Sequence, residues 1–223
     1  MQLAGQVGPQ ANADSAAPVL RFGRGGEAMV SELNGRFYEL NYRGLEFSIG
    51  CVLTALAAAT ATLTNSTQPI VGVWNPQNSP VNLVILQAAL TDYLNNVTSV
   101  FPGAFVWASS VGNSSLTAGL APFNRKTLSN SGSQAKAFSL STASLLTGLT
   151  NNVVVIEPAD FSPASALLTT TVAAATPTPV VAGVQNFDGS LIVPPGGVLA
   201  LLNTISSTTH SVTARLLWSE IPV

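Results

Sequence analysis

The sequence predicts a mainly β protein, an antiparallel β-sandwich of jelly-roll type, and three observations carry that expectation. Short runs rich in Val, Ile, Leu, Thr and Phe recur along the chain, divided by clusters of Gly, Pro, Asn and Ser. No strand–helix–strand alternation occurs, which disfavours a parallel sheet. The last stretch, residues 187–223, reads as strand, sharp turn, strand, polar loop and strand. At 223 residues the chain has a size that all-β sandwiches reach as one domain. The expected division is an N-terminal arm and charged capping segment over residues 1–46, then a β-sandwich over 47–223.

Taken in order, residues 1–20 are polar with Asp14 as the lone charge, and an extended arm is expected. Residues 21–46 differ, because Arg21, Arg24, Glu27, Glu32, Arg36, Glu39, Arg43 and Glu46 all fall there. Glu32 and Arg36 stand four apart, as do Glu39 and Arg43, in the acid-first order that supports a helix. Met29, Leu33, Phe37 and Leu40 follow the spacing of one apolar helical face. Asn34-Gly35 is a turn signal, so two short pieces are expected, capping one end of the sheet. These eight charges are the candidate inter-subunit contacts.

From residue 45 the pattern turns to β. Residues 45–63 are expected as strands, 65–68 as loop, and 70–74 as a strand stopped by NPQNSP. VNLVILQAAL at 81–90 reads as a strand buried on both faces. Pro102-Gly103 precedes another strand, AFVWA. Residues 124–136, with Arg125, Lys126 and Lys136, read as a solvated loop. Residues 137–149 suit a strand or short helix, 153–156 a strand, and TPTPV at 176–180 an edge strand or an extended crossing segment. Asp188-Gly189 is expected to turn the chain into a strand at 191–193. Pro194-Pro195-Gly196-Gly197 then makes a sharp connection to a strand at 198–202. In 211–219, Val212, Ala214, Leu216 and Trp218 alternate with Ser211, Thr213, Arg215, Leu217 and Ser219, which makes Trp218 the expected core anchor.

Composition bears on function. Only 8% of residues are charged, against about 25% in an average soluble domain, and the mean hydropathy is +0.40. A surface so poor in charge favours association, so a subunit that buries its outside against copies of itself is expected. The net charge of −2 gives no footprint for nucleic acid. Residues 47–91 are uncharged, but the most apolar run, 47–63, is short of the roughly 20 residues a spanning helix needs and carries Ser48, Thr54, Thr60 and Thr62. No membrane partner is expected. Residues 1–20 lack the basic and apolar regions of a secretory leader, and the single cysteine, Cys51, suits assembly in a reducing cytoplasm. The sequons at Asn65, Asn96 and Asn113 read as chance.

Residues for bond-making chemistry are scarce. The one histidine, His210, is expected in the polar loop SSTTHS, without the second His or Cys cluster of a metal site. Asp14, Asp92, Asp160 and Asp188 are isolated, unlike the clustered acids of a calcium loop. No G-x-S-x-G elbow accompanies His210. Gly23-Arg24-Gly25-Gly26 lacks the Lys-Ser/Thr of a phosphate loop. No catalytic, cofactor or metal residue is therefore expected.

Three stretches carry a resemblance: GRFYELNYRGLEFS at 35–48, NPQNSPVNLVILQ at 75–87, and SLIVPPGGVLALL with LLWSEIPV at 190–202 and 216–223. Together they resemble a family of tailed-bacteriophage virion proteins, small β-sandwich proteins of the head. The resemblance implies a capsid decoration or cement protein, trimeric, bound to the major capsid protein on the outer surface of an icosahedral shell. Residues 110–185 lie outside it. Two other functions compete: a tail-associated or glycan-binding jelly roll, with Trp74, Trp107 or Trp218 exposed to stack on sugars, and a single jelly-roll major coat protein.

Overall fold

The structure, a computed structural model, describes residues 37–54, 69–94, 105–113, 120–139, 155–161, 178–204 and 210–223. The chain divides into two units, Met1–Glu39 and Leu40–Val223. Of the first, only residues 37–39 are described. The arm, Asn34-Gly35, Met29 and Leu33 lie outside the described residues. A short helix, α1 (Tyr38–Tyr42), precedes the strands.

Ten strands follow: β1 (Glu46–Leu53), β2 (Val71–Trp74), β3 (Val81–Leu94), β4 (Phe105–Ser110), β5 (Phe123–Asn124), β6 (Lys136–Ser139), β7 (Val155–Pro158), β8 (Thr178–Val193), β9 (Val198–Asn203) and β10 (His210–Pro222). They form two antiparallel five-stranded sheets packed as a β-sandwich. Sheet A has the order β5-β1-β10-β3-β8 and sheet B the order β6-β2-β9-β4-β7. Setting β5 and β6 apart, the first strand pairs with the last, β2 with β9, β3 with β8, and β4 with β7.

The alternation in the sequence explains which face each strand buries. Phe47, Ile49, Cys51 and Leu53 of β1 point into the sandwich, as do Val212, Ala214, Leu216 and Trp218 of β10. Phe47 and Trp218 are register partners and stack, with ring centroids 6.5 Å apart. Trp218 is 0% exposed and anchors the core. Burying such a ring contributes about 1.5–3 kcal/mol before entropy. Across the sandwich, Trp107 of β4 meets Phe187 of β8 edge to face at 5.5 Å, and Trp107 Nε1 donates to Gln185 Oε1 at 2.8 Å. Strands β2 and β9 are buried at every position, which is why VGVW and VLALLN read as continuous apolar runs.

Several expectations are corrected. The 81–90 run is not buried on both faces: Val84, Gln87 and Ala89 are half-buried, and Leu86 is a bulge that shifts the register between Ile85 and Gln87. Strand β8 begins at Thr178, with Pro179 on its edge, so Asp188-Gly189 is not the start of the terminal set. It is an excursion inside one long strand, with φ of 55° at Asp188 and 84° at Gly189. The Pro194–Gly197 connection is the expected sharp one, and it carries the chain from sheet A to sheet B. His210 opens β10 opposite Leu94 rather than lying in the loop. Leu217 and Ser219 are buried although they face away from Trp218. Residues 55–63 of the stretch expected as strands, and the loop expected at 65–68, lie outside the described residues.

Candidate functional site

A line of polar side chains crosses the outer face of sheet A from edge to edge. It starts beside β5, where Arg125 Nε lies 3.2 Å from Glu46 Oε1 on β1. On β10, Arg215 adds its charge to the same carboxylate and donates from Nη2 to Gln87 Oε1 at 2.5 Å. Gln87 Nε2 donates in turn to Asn186 Oδ1 on β8 at 2.9 Å. The register explains the line. Gln87 lies between Leu217 and Asn186, so Arg215, two residues from Leu217, reaches it diagonally along one face.

Glu46 is 3% exposed. Burial pushes its carboxyl above the usual range, while Arg125 and then Arg215 pull it back down. The two guanidinium groups offset the cost of burying that carboxylate. Beside Arg215 lies a shallow depression of about 290 Å³, lined by Ala89, Leu90, Thr91, Thr213 and Ala214. It forms because short side chains surround one long one. Gly50, the register partner of Arg215, adds no bulk on that side.

A second polar centre fixes the segment before β6. Glu220 on β10 is buried, and its carboxylate accepts hydrogen bonds from Ser133 Oγ, from Gln134 N at 3.0 Å and from Ala135 N at 3.4 Å. At the other end of that segment, Asn124 Oδ1 accepts from Lys126 N and Thr127 N, and Asn124 Nδ2 donates to the Gly44 carbonyl. Residues 124–136 are a largely exposed loop, as expected, and these bonds tether it at both ends. Leu128 at its tip is 72% exposed and left-handed, with φ of 55°.

These groups hold and orient; none is arranged as a nucleophile with its base. Among the described residues no group of three or more His, Cys, Asp or Glu is placed to hold a metal ion. The Cys51 thiol donates to the Ile70 carbonyl at 3.2 Å, and burial pushes its pKa up to about 11, against a lowering hydrogen bond from the Ala214 backbone. The Asn113 sequon is closed: its amide is buried and donates to Ser110 Oγ and the Gly196 carbonyl. Asn65 and Asn96 lie outside the described residues. Trp74, Trp107 and Trp218 are all buried, so none offers a ring to a sugar.

Of the eight candidate inter-subunit charges, Arg21, Arg24, Glu27, Glu32 and Arg36 lie outside the described residues. Glu39 and Arg43 are exposed. Glu46 is spent inside the chain on Arg125. The charges that the structure brings to it, Arg125 just after β5 and Arg215 on β10, come from segments far apart in sequence, as does Gln87 on β3, which Arg215 reaches. The one available signal was Arg215, a lone charge on the outward positions of a strand that otherwise carries uncharged residues there. No family model, curated protein or solved structure matches the chain.

Proposed function

We propose that the protein is a structural virion subunit, a capsid cement or decoration protein that binds the outer surface of a phage head and bridges neighbouring copies of the major capsid protein. The observation that carries this reading is the pairing of the eight framing strands, first with last and inward to β4 with β7. Such pairing supports a jelly roll, an arrangement used by viral capsid and lectin domains. The sparse charge and the sequence resemblance support the same reading. So does a polar line built for rigidity, with arginine and glutamine bonded to neighbouring strands.

The mechanism is linkage. A subunit that binds the assembled shell and not its dissociated parts stabilises the shell by mass action. A homotrimer seated at a local threefold satisfies closed symmetry and touches three capsomers alike. Assembly takes place in the host cytoplasm. The buried tryptophans weigh against the glycan-binding alternative. The coat-protein alternative shares the fold and differs in copy number. A low-resolution reconstruction of purified particles tests the proposal. Discrete threefold density above a shell made of another protein is the expected result. Density forming the continuous shell itself would make the chain the coat protein instead.

A further inference from the structure

The exposed charges of Leu40–Val223 are sorted by edge. Arg43 precedes β1, the strand next to β5, the half-buried Arg125 and the exposed Lys126 follow β5, and Lys136 opens β6, so the positive charges gather toward the β5/β6 edge, with Arg125 paired to Glu46. Glu157 on β7, Asp160 just beyond it and Asp188 on β8 stand at the opposite edge. The other charges, Glu46, Asp92, Arg215 and Glu220, are buried or half-buried. From residue 40 onward every charged residue of the sequence falls in a described segment, so the sorting is complete.

Each edge is continuous across the two sheets. On one side Leu120 and Ala137 exchange both backbone hydrogen bonds, joining the approach to β5 with β6. On the other, Gln185 Oε1 on β8 accepts from Asp160 N at 3.1 Å, joining β8 to the end of β7. In sheet A the register also places opposite charges near the two ends of one row. Asn124, Phe47, Trp218, Ile85 and Leu191 form one row across sheet A. Arg125 and Lys126 leave one end of that row, and the excursion holding Asp188 adjoins the other. Each edge carries exposed apolar surface as well: Leu128 on one, and Val184 and Ile192, 53% and 54% exposed, on the other.

We propose that the β5/β6 edge of one copy docks on the β7/β8 edge of the next, in a head-to-tail contact between copies of this chain. This rests on the self-association proposed above and names its surfaces. Like edges repel and unlike edges attract, so the complementary occupant of each edge is a second copy in the same orientation, not one related by a twofold axis. Charge sets the orientation, and Leu128 against the β8 side chains supplies the apolar contact. Successive head-to-tail contacts close into a ring when their rotation closes, as a trimer requires.

Sedimentation velocity of the full chain tests this in about 50 mM and about 500 mM salt, where screening shortens several-fold in range. Association of the unaltered chain is expected to weaken about tenfold at the higher salt. Lys126→Glu with Lys136→Glu, or Glu157→Lys with Asp160→Lys, should each weaken it by a similar factor while thermal melting of the subunit is unchanged. Because Glu46 already neutralises Arg125, all four substitutions together leave the first edge weakly negative and the second weakly positive, so a chain carrying them should associate better than either two-substitution chain, though less tightly than the unaltered one. An oligomer indifferent to salt and to both reversals, or a four-substitution chain that associates no better than either two-substitution chain, overturns the head-to-tail contact and leaves self-association standing. A monomer under every condition overturns both.

Discussion

At Cys51 the core decides the chemistry of a side chain. The thiol keeps its proton to about pH 11, against an ordinary 9.0, because burial disfavours the thiolate. The folded state therefore binds more protons than the unfolded chain between those values. Its contribution is complete below pH 9 and is lost as pH rises toward about 11. The loss amounts to roughly 2–3 kcal/mol. Chemical denaturation of the protein and of a Cys51→Ser variant between pH 8 and about 11 should show the difference between their stabilities shrinking as pH rises. A difference independent of pH would mean that the thiol titrates normally in the fold. Glu46 is a contrasting case, where burial and two guanidinium groups act in opposite directions on one carboxyl. Its role as a candidate inter-subunit charge followed from sequence proximity to other charges. The structure instead gives it to Arg125, 79 residues further along, a partner that local spacing has no means of naming.

Among the elements, β2 depends most on one small residue. Gly72 sits between Phe138 of β6 and Leu199 of β9, and a Cβ there would come within 2.2 Å of the Phe138 ring and 2.7 Å of the Leu199 carbonyl oxygen. Glycine lets Phe138 lie flat across the strand, where it is buried. Gly72→Ala should lower stability by about 1–3 kcal/mol, read as a drop in Tm, because both ring and backbone must shift. An unchanged Tm would show that the ring has room to move. Strand existence was legible wherever apolar residues alternate or run continuously between turn signals, as in β1, β3 and β10. Strand extent was less so. Asp188-Gly189 carries the residues of a turn, and its left-handed backbone is what those residues favour, yet pairing with β3 resumes beyond it. Pro194–Gly197 reads locally as a sharp connection between strands, and only the pairing of β9 with β2 and β4 shows that the chain has changed sheets. Long-range pairing, not local propensity, decides both cases.

On the scale of the whole molecule, two properties visible in the composition take on spatial form. The sequence is poor in charge, and the few charges it has beyond residue 39 are divided between the two edges of the sandwich or buried within it. A particle-bound subunit uses such a surface in two ways: weakly charged faces tolerate close neighbours, and oppositely charged edges orient them. Composition alone conveyed the first. The second needed the strand order, because Lys136 and Glu157 are only 21 residues apart in sequence yet lie on the two opposite edge strands of sheet B. The proposed cement role is tested most directly by heating particles, or diluting them abruptly from high osmolarity, with the protein present, absent and added back. The account predicts that particles lacking it release their contents at lower temperature or milder shock, and that adding the purified subunit restores resistance in a saturable manner. Particles equally robust with and without the protein would contradict it.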